Sequence, residues 1–235
     1  MNAAIWRVAT GRGIGGRSMC PHCHKTLRAF DLIPVVSFFI LKGKCGNCHQ
    51  SISWQYPLVE LSTAVAFVFV GNQIAQGVSI AGGIAQAVIL SLLIALFVMD
   101  FQYGVLPDLL TLPAIAIVVC SRLWLESPLS SVVIDMLWGA TIGVAFFAVQ
   151  WVVSHGRWIG DGDIRLGALM GVLLGVPGVL LALLISYILG AIVASVLLLG
   201  GGKTLKSAIP LGPFLIVGTL VVYYGQEAML SFLGV

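Results

Sequence analysis

The chain has little charge. Of its 235 residues only 9 % are Asp, Glu, Lys or Arg, while 59 % are hydrophobic. That balance excludes an ordinary soluble domain, whose surface needs far more polar side chains. The net charge of +3 is small, and no nucleic-acid partner is expected. Cysteine is scarce too. There are 5, four of them in two tight pairs before residue 49 and Cys120 alone. Such a distribution excludes a disulfide framework and reads as a metal site plus one packing residue. No internal repeat, low-complexity tract or secretory signal peptide stands out. No strand–glycine loop–helix fingerprint of the dinucleotide type occurs. No separate soluble domain of any size follows residue 56.

Long apolar runs fill that space. Seven are expected as spans: 56–70, 82–99, 109–125, 131–154, 164–176, 179–199 and 209–224. The fifth is short and is stopped by Pro177-Gly178, a turn signal. The fold class is therefore an all-α polytopic membrane protein of about seven transmembrane helices. Residues 1–55 precede it as a polar, basic loop carrying Arg7, Arg12, Arg17, Lys25, Arg28, Lys42 and Lys44. Inside that loop, Ile33–Leu41 is apolar but too short to span, and is expected to rest on membrane lipid. Placing 1–55 in the cytoplasm puts the loops 100–108, 155–163 and 200–208 on the same side. Those loops and their edges hold every Lys and Arg except Arg122, as the positive-inside rule asks. Gly200-Gly201-Gly202 is expected to be a flexible linker.

Charged groups at the edge of apolar segments are costly and point to function. The acids are Asp31, Glu60, Asp100, Asp108, Glu126, Asp135, Asp161, Asp163 and Glu227. Only loops 100–108 and 155–163 offer acids at one depth on one side. Two facing carboxylates share a proton. One then activates water as a general base, and the other donates a hydrogen bond to the carbonyl under attack. Asp100 and Asp163 are the candidate pair. Asp100 sits at a helix end, where an acid meets the wrong pole of the helix dipole. Asp163 and Asp108 equally suit helix caps, and Asp161 a solvated turn. Gly160 and Gly162 imply a tight turn or a close approach beside Asp163. Gly167, Gly171 and Gly175 recur every four positions and offer a smooth helix face for close packing. Two readings from other classes remain open on the residues alone. One is a cation- or proton-coupled small transporter, the other a zinc-ribbon membrane scaffold.

Cys20-Pro21-His22-Cys23 and Cys45-Gly46-Asn47-Cys48 are two C-x-x-C pairs with 21 residues between them. Four thiolates so spaced suit tetrahedral zinc, with His22, His24 and His49 spare. A closed four-sulfur site has no open position, so its metal is structural.

Gly160-Asp161-Gly162-Asp163 resembles the G-x-G-D motif of membrane aspartyl proteases. Asp163-Ile164-Arg165-Leu166 resembles the prepilin peptidase version, where Lys is usual at the place of Arg165. Asp100 through Pro113, with Pro107-Asp108 and Thr111-Leu112-Pro113, resembles that family's first aspartate motif. Tyr56–Leu61 and Ile209–Phe214 resemble its segments after the cysteine loop and at its last helix. The chain is thereby similar, nearly end to end, to the bacterial type 4 prepilin leader peptidase/N-methyltransferase family. The resemblance implies an aspartyl endopeptidase of the bacterial plasma (inner) membrane. Its substrates would be type IV prepilin and type II secretion pseudopilin precursors, cleaved at the cytoplasmic face. The new N-terminus would be methylated from S-adenosylmethionine. It implies catalytic roles for Asp100 and Asp163, support from Gly160, Gly162, Asp108 and Arg165, and structural zinc on Cys20, Cys23, Cys45 and Cys48. Residues 1–55 become a methylation-associated zinc loop, and 56–235 the transmembrane peptidase domain. Glu60 is at a suitable depth to help the methyl donor or to pair with a base. The family begins with a membrane helix ending in a sequence like Asn2–Val8, so an N-terminally truncated member is expected.

Overall fold

The computed structural model describes residues 2–11, 15–200 and 209–233. Arg12, Lys203, Lys206 and most of the expected linker (Gly201 and Gly202) lie outside the described residues, as does the side chain of Glu227. The chain divides into two compact units, Met1–Ala95 and Leu96–Val235. Among the described residues the only β-structure is a pair of isolated bridges, Met19 with Thr26 and Lys44 with Ser51. Everything else regular is helical, as apolar segments require where no water can satisfy the backbone.

In the first unit, helix α1 (Asn2–Ala9) meets the start of α3 (Gln55–Ala75), where Asn2 donates to the Tyr56 carbonyl at 3.1 Å. Between them lie the cysteine loop and the short helix α2 (Val36–Ile40). Phe38 of α2 is buried, its ring centroid 4.9 Å from that of Trp54. Helix α4 (Ile80–Tyr103) begins this unit's second apolar segment. Gly83 lets it close on Ile74, since a Cβ there would sit 2.6 Å from Ile74 Cγ1.

The second unit holds the end of α4 with α5 (Asp108–Leu125), α6 (Leu129–Ser154), α7 (Asp161–Leu199) and α8 (Gly212–Leu233). Helices α3 to α7 are each long and apolar enough to cross a membrane. The expected fifth and sixth spans are the two arms of α7, which part at Gly175, two residues before the expected Pro177-Gly178 turn. Gly175 has φ 69° and ψ −172°, a conformation open to glycine alone. Pro177 then falls in the first turn of the following arm, where its missing N–H costs no helical bond.

Side-chain levels show that α7 doubles back. Gly167 meets Gly143, Gly171 meets Gly139, and Gly175 meets Asp135, so the first arm runs antiparallel to α6. After the break, Tyr187 donates to Gln150 at 3.1 Å and packs on Phe146, near the end of α6 where the first arm began. The second arm therefore returns toward Asp161. Helix α8 lies antiparallel to that arm, with Gly218 against Ser186 and Phe214 against Gly190.

Backbones touch where α6 and α7 cross. A Cβ on Gly167 would come within 2.6 Å of both the Gly143 carbonyl and the Phe147 ring. The expected small-residue face on α7 is thus a packing surface at Gly167 and Gly171, whereas Gly175 is the break itself. Gly139 and Gly143 complete the contact from α6 and carry equal weight.

The break is clasped by charge. Arg122 of α5 donates to the Val172 carbonyl at 3.0 Å and pairs with Glu126 and Asp135. Asp135 also accepts the Val176 N–H at 3.0 Å, which satisfies a donor freed where the helix restarts. Asp135 thereby caps the second arm. Cys120, expected as packing, is exposed on α5.

Candidate active site and metal centre

Asp100 lies in the last turn of α4, at the negative pole of that helix. Its carboxylate is turned to the opposite pole of another helix. Oδ2 accepts the Gly212 N–H, at the start of α8, at 2.9 Å in a buried contact. The unfavourable placement read from the sequence is answered by a partner 112 positions away. Gly104, with φ +62°, then ends α4 and returns its N–H to the Asp100 carbonyl at 2.9 Å.

Asp163 follows Gly162, which meets the loop after α4 at Leu106. Helix α7 begins at Asp161, so Asp163 is its third residue and not the residue before it. Its Oδ2 accepts the Gly160 N–H at 3.0 Å, the return half of a capping box. Asp100 is 7 % exposed and Asp163 9 %, the two most buried acids among the described residues. Asp100 lies within electrostatic reach of Asp163, as does Asp161.

Two contacts bring the segments together. Buried Leu106 presses on Gly162, where a Cβ would sit 2.8 Å from the Leu106 Cβ. Gly162 is therefore glycine for close approach. Gly160 is different: its φ of −80° and ψ of 161° are open to any residue, and a Cβ there meets nothing nearer than 3.8 Å. The expectation of a glycine requirement holds for one of the pair. Arg165 makes the second contact, bridging Asp108, the first residue of α5, and Asp161. Asp161, expected as a solvated turn residue, is 77 % exposed yet ion-paired in the first turn of α7. Asp108 opens its helix after Pro107, as a cap-type acid should.

The arrangement is two sheltered carboxylates, each holding one backbone N–H. It suits proton sharing between acids and activation of water without a metal.

The first unit carries a separate centre. The sulfurs of Cys20, Cys23, Cys45 and Cys48 all lie within 4.8 Å of one another, and Cys20 Sγ is 3.9 Å from Cys48 Sγ. Tetrahedral zinc with bonds of about 2.3 Å needs sulfurs roughly 3.8 Å apart, so the set fits that ion. The two knuckles repeat one backbone plan. The Cys20 carbonyl accepts the His24 N–H, and the Cys45 carbonyl the His49 N–H, both at 3.0 Å. His24 and His49 have φ of 55° and 56°. Those histidines, read as spare, close the knuckles through their backbones. The Lys25 N–H, assisted by Asn47, holds the Cys23 thiol below its ordinary value, at about 7. The backbones of Cys48 and Asn47 lower Cys45 in the same way. At Cys48 the Gln50 N–H is outweighed by desolvation and the sulfurs of Cys45, Cys23 and Cys20, which push it up to about 11. Among the described residues Glu60 meets no base; it accepts the Val35 N–H at 2.7 Å. Val35, at φ 63° and ψ −49°, is the centre of a strained γ-turn closed by the Val36 N–H on the Pro34 carbonyl at 2.6 Å.

Sequence reasoning missed Gly212 as a site residue. The signal was available in Gly212-Pro213, a helix start inside an apolar run, but nothing in the sequence says that it faces Asp100.

The described residues are predominantly helical, with five helices long and apolar enough to cross a membrane, which defines a polytopic membrane protein. Comparison with known proteins narrows the class. Residues 1–74 match the bacterial Peptidase A24 N-terminal domain, and residues 87–195 match the Type IV leader peptidase family. A prepilin leader peptidase/N-methyltransferase of Bacillus subtilis (strain 168) is 33 % identical over 93 % of this chain and 86 % of its own length. Proteins of the same name from Stutzerimonas stutzeri and Pseudomonas putida are each 34 % identical, over 92 % and 91 % of this chain and 74 % of their own lengths. No solved structure matches. The chain belongs to the prepilin leader peptidase/N-methyltransferase family.

Proposed function

We propose that this protein is a membrane-embedded aspartyl endopeptidase that removes the leader from type IV prepilins and type II secretion pseudopilins, then methylates the new N-terminus. Asp100 and Asp163 are the catalytic pair. One carboxylate takes a proton from water as it attacks the scissile carbonyl, and the other, protonated, donates to the carbonyl oxygen. Proton transfer to the leaving amine completes cleavage. The observation that carries this reading is the approach of two sheltered acids from α4 and α7, each held by a backbone N–H. Acids near mid-membrane, as a transporter requires, are not what α4 and α7 present: both acids lie in terminal turns. Asp108, Arg165, Gly160 and Gly162 support the site by fixing the start of α7 against loop 104–107.

The functional division is a zinc loop, 1–55, and a peptidase portion, 56–235. Cys20, Cys23, Cys45 and Cys48 would hold zinc, whose role there is to fold the loop. S-adenosylmethionine is the methyl donor, and no residue is assigned to it. The positive-inside pattern supports a cytoplasmic position for the zinc loop and both aspartates, in the bacterial plasma membrane.

The test is cleavage of a prepilin-like peptide by membranes carrying the intact protein, Asp100→Asn or Asp163→Asn. Both variants should lose about 100-fold or more in cleavage while still methylating a pre-cleaved peptide. Unchanged cleavage by either variant would remove the assignment.

A further inference from the structure

We propose that Gly212 is a positioning residue for Asp100, and that the start of α8 sets where that carboxylate stands. The inference rests on the reading of Asp100 and Asp163 as the catalytic pair. Asp163 is held locally, by the Gly160 N–H of its own helix start. Asp100 has no such local support. It ends a helix whose dipole opposes it, and the hydrogen bond to its carboxylate comes from Gly212.

The helix start is built to supply that bond. The carbonyl of Leu211 already receives the N–H groups of Phe214 and Leu215, at 3.0 and 3.2 Å. Pro213 has no N–H to offer. Gly212 is then the first free donor of α8, at its positive pole, and the carboxylate occupies it.

Glycine is also demanded by space. A Cβ at 212 would stand 2.5 Å from Asp100 Oδ2, 2.8 Å from its Cγ and 3.1 Å from its Cβ. Either helix or carboxylate would have to move. The helix is locked: a Cβ on Gly218 would be 2.7 Å from the Ala182 carbonyl, and Leu215 and Ile216 are 0 % and 1 % exposed. The carboxylate therefore gives way, by rotation of its side chain. A misplacement of about 1 Å in a reacting group can cost about 100-fold in rate.

Gly212→Ala tests this beside Gly218→Ala, which adds the same atom to the same helix away from Asp100. Gly212→Ala should lower kcat for cleavage about 100-fold, with KM within about threefold, methyl transfer retained and thermal stability near that of the intact protein. Gly218→Ala should lower stability and both activities together. Cleavage divided by methyl transfer in the same membranes keeps the reading independent of how much variant accumulates. An unchanged ratio in Gly212→Ala overturns the proposal, and so does a parallel loss of both activities. Oxidative cross-linking gives a second measure. In Asp100→Cys/Gly212→Cys the Cβ atoms, 3.1 Å apart before relaxation, are near disulfide range, and both introduced thiols should become inaccessible to maleimide. Failure to cross-link also overturns it. Should Asp100→Asn itself cleave normally, the reading of the dyad fails instead. An inactive Asp100→Asn beside a fully active Gly212→Ala leaves that reading standing and removes this one.

Discussion

At the scale of residues, the same side-chain type does different work according to what stands opposite. Asp100 and Asp163 are sheltered and hold backbone N–H groups, whereas Asp108 and Asp161 are exposed and share Arg165. General acid or base catalysis is worth about 10²- to 10⁴-fold, so on the proposed reading Asp163→Asn should lower kcat for cleavage by that factor. Arg165→Ala should cost less than about 1 kcal/mol in thermal stability, because exposed ion pairs are weak. Arg122 of α5 lies at the far end of the first arm of α7, beside the break at Gly175, and should matter more. It holds the Val172 carbonyl and Asp135 together across the break. Arg122→Ala should cost about 1.5–3 kcal/mol, the range for hydrogen bonds to charged groups, read as a lowered Tm in detergent.

At the scale of elements, α7 and the knuckles show two ways of fixing a backbone. Helix α7 is fixed by missing atoms. Gly139, Gly143, Gly167 and Gly171 let two backbones touch, and one added methyl has no space. Gly171→Ala should destabilise the second unit by about 1–3 kcal/mol, the range for overpacking, seen as a lower Tm. The knuckles are fixed by donors. Backbone N–H groups at Cys23 and Cys45 favour thiolates, while desolvation and the neighbouring sulfurs push the Cys48 thiol up. Metal binding must displace the protons that remain. Zinc affinity should therefore fall as pH is lowered from about 7 to about 5 and rise above 7, measured by competition with a chromophoric chelator. Cys20→Ser should remove stoichiometric zinc.

At the scale of the whole molecule, the cysteine centre and the paired acids belong to different compact units, Met1–Ala95 and Leu96–Val235. Chelation of zinc should depress methyl transfer more than cleavage, assayed on the same membranes with intact and pre-cleaved peptide. Equal loss of both would show that the loop supports the whole chain.

The sequence alone determined the membrane class, the two candidate acids and the four-sulfur set. Each is written in local chemistry: long apolar runs, acids at their edges, and thiols at knuckle spacing. The motifs around Asp100 and Asp163 also pointed to the family before any helix was placed. Tertiary structure decided the rest, because it depends on atoms distant in the chain. That α7 breaks at Gly175, two residues before Pro177, follows from Asp135 and Arg122 closing around one backbone conformation. That Gly162 must be glycine, while Gly160 need not be, depends on where Leu106 falls. That Gly212 serves the site depends on α8 meeting the end of α4, a contact across 112 positions that no local pattern encodes.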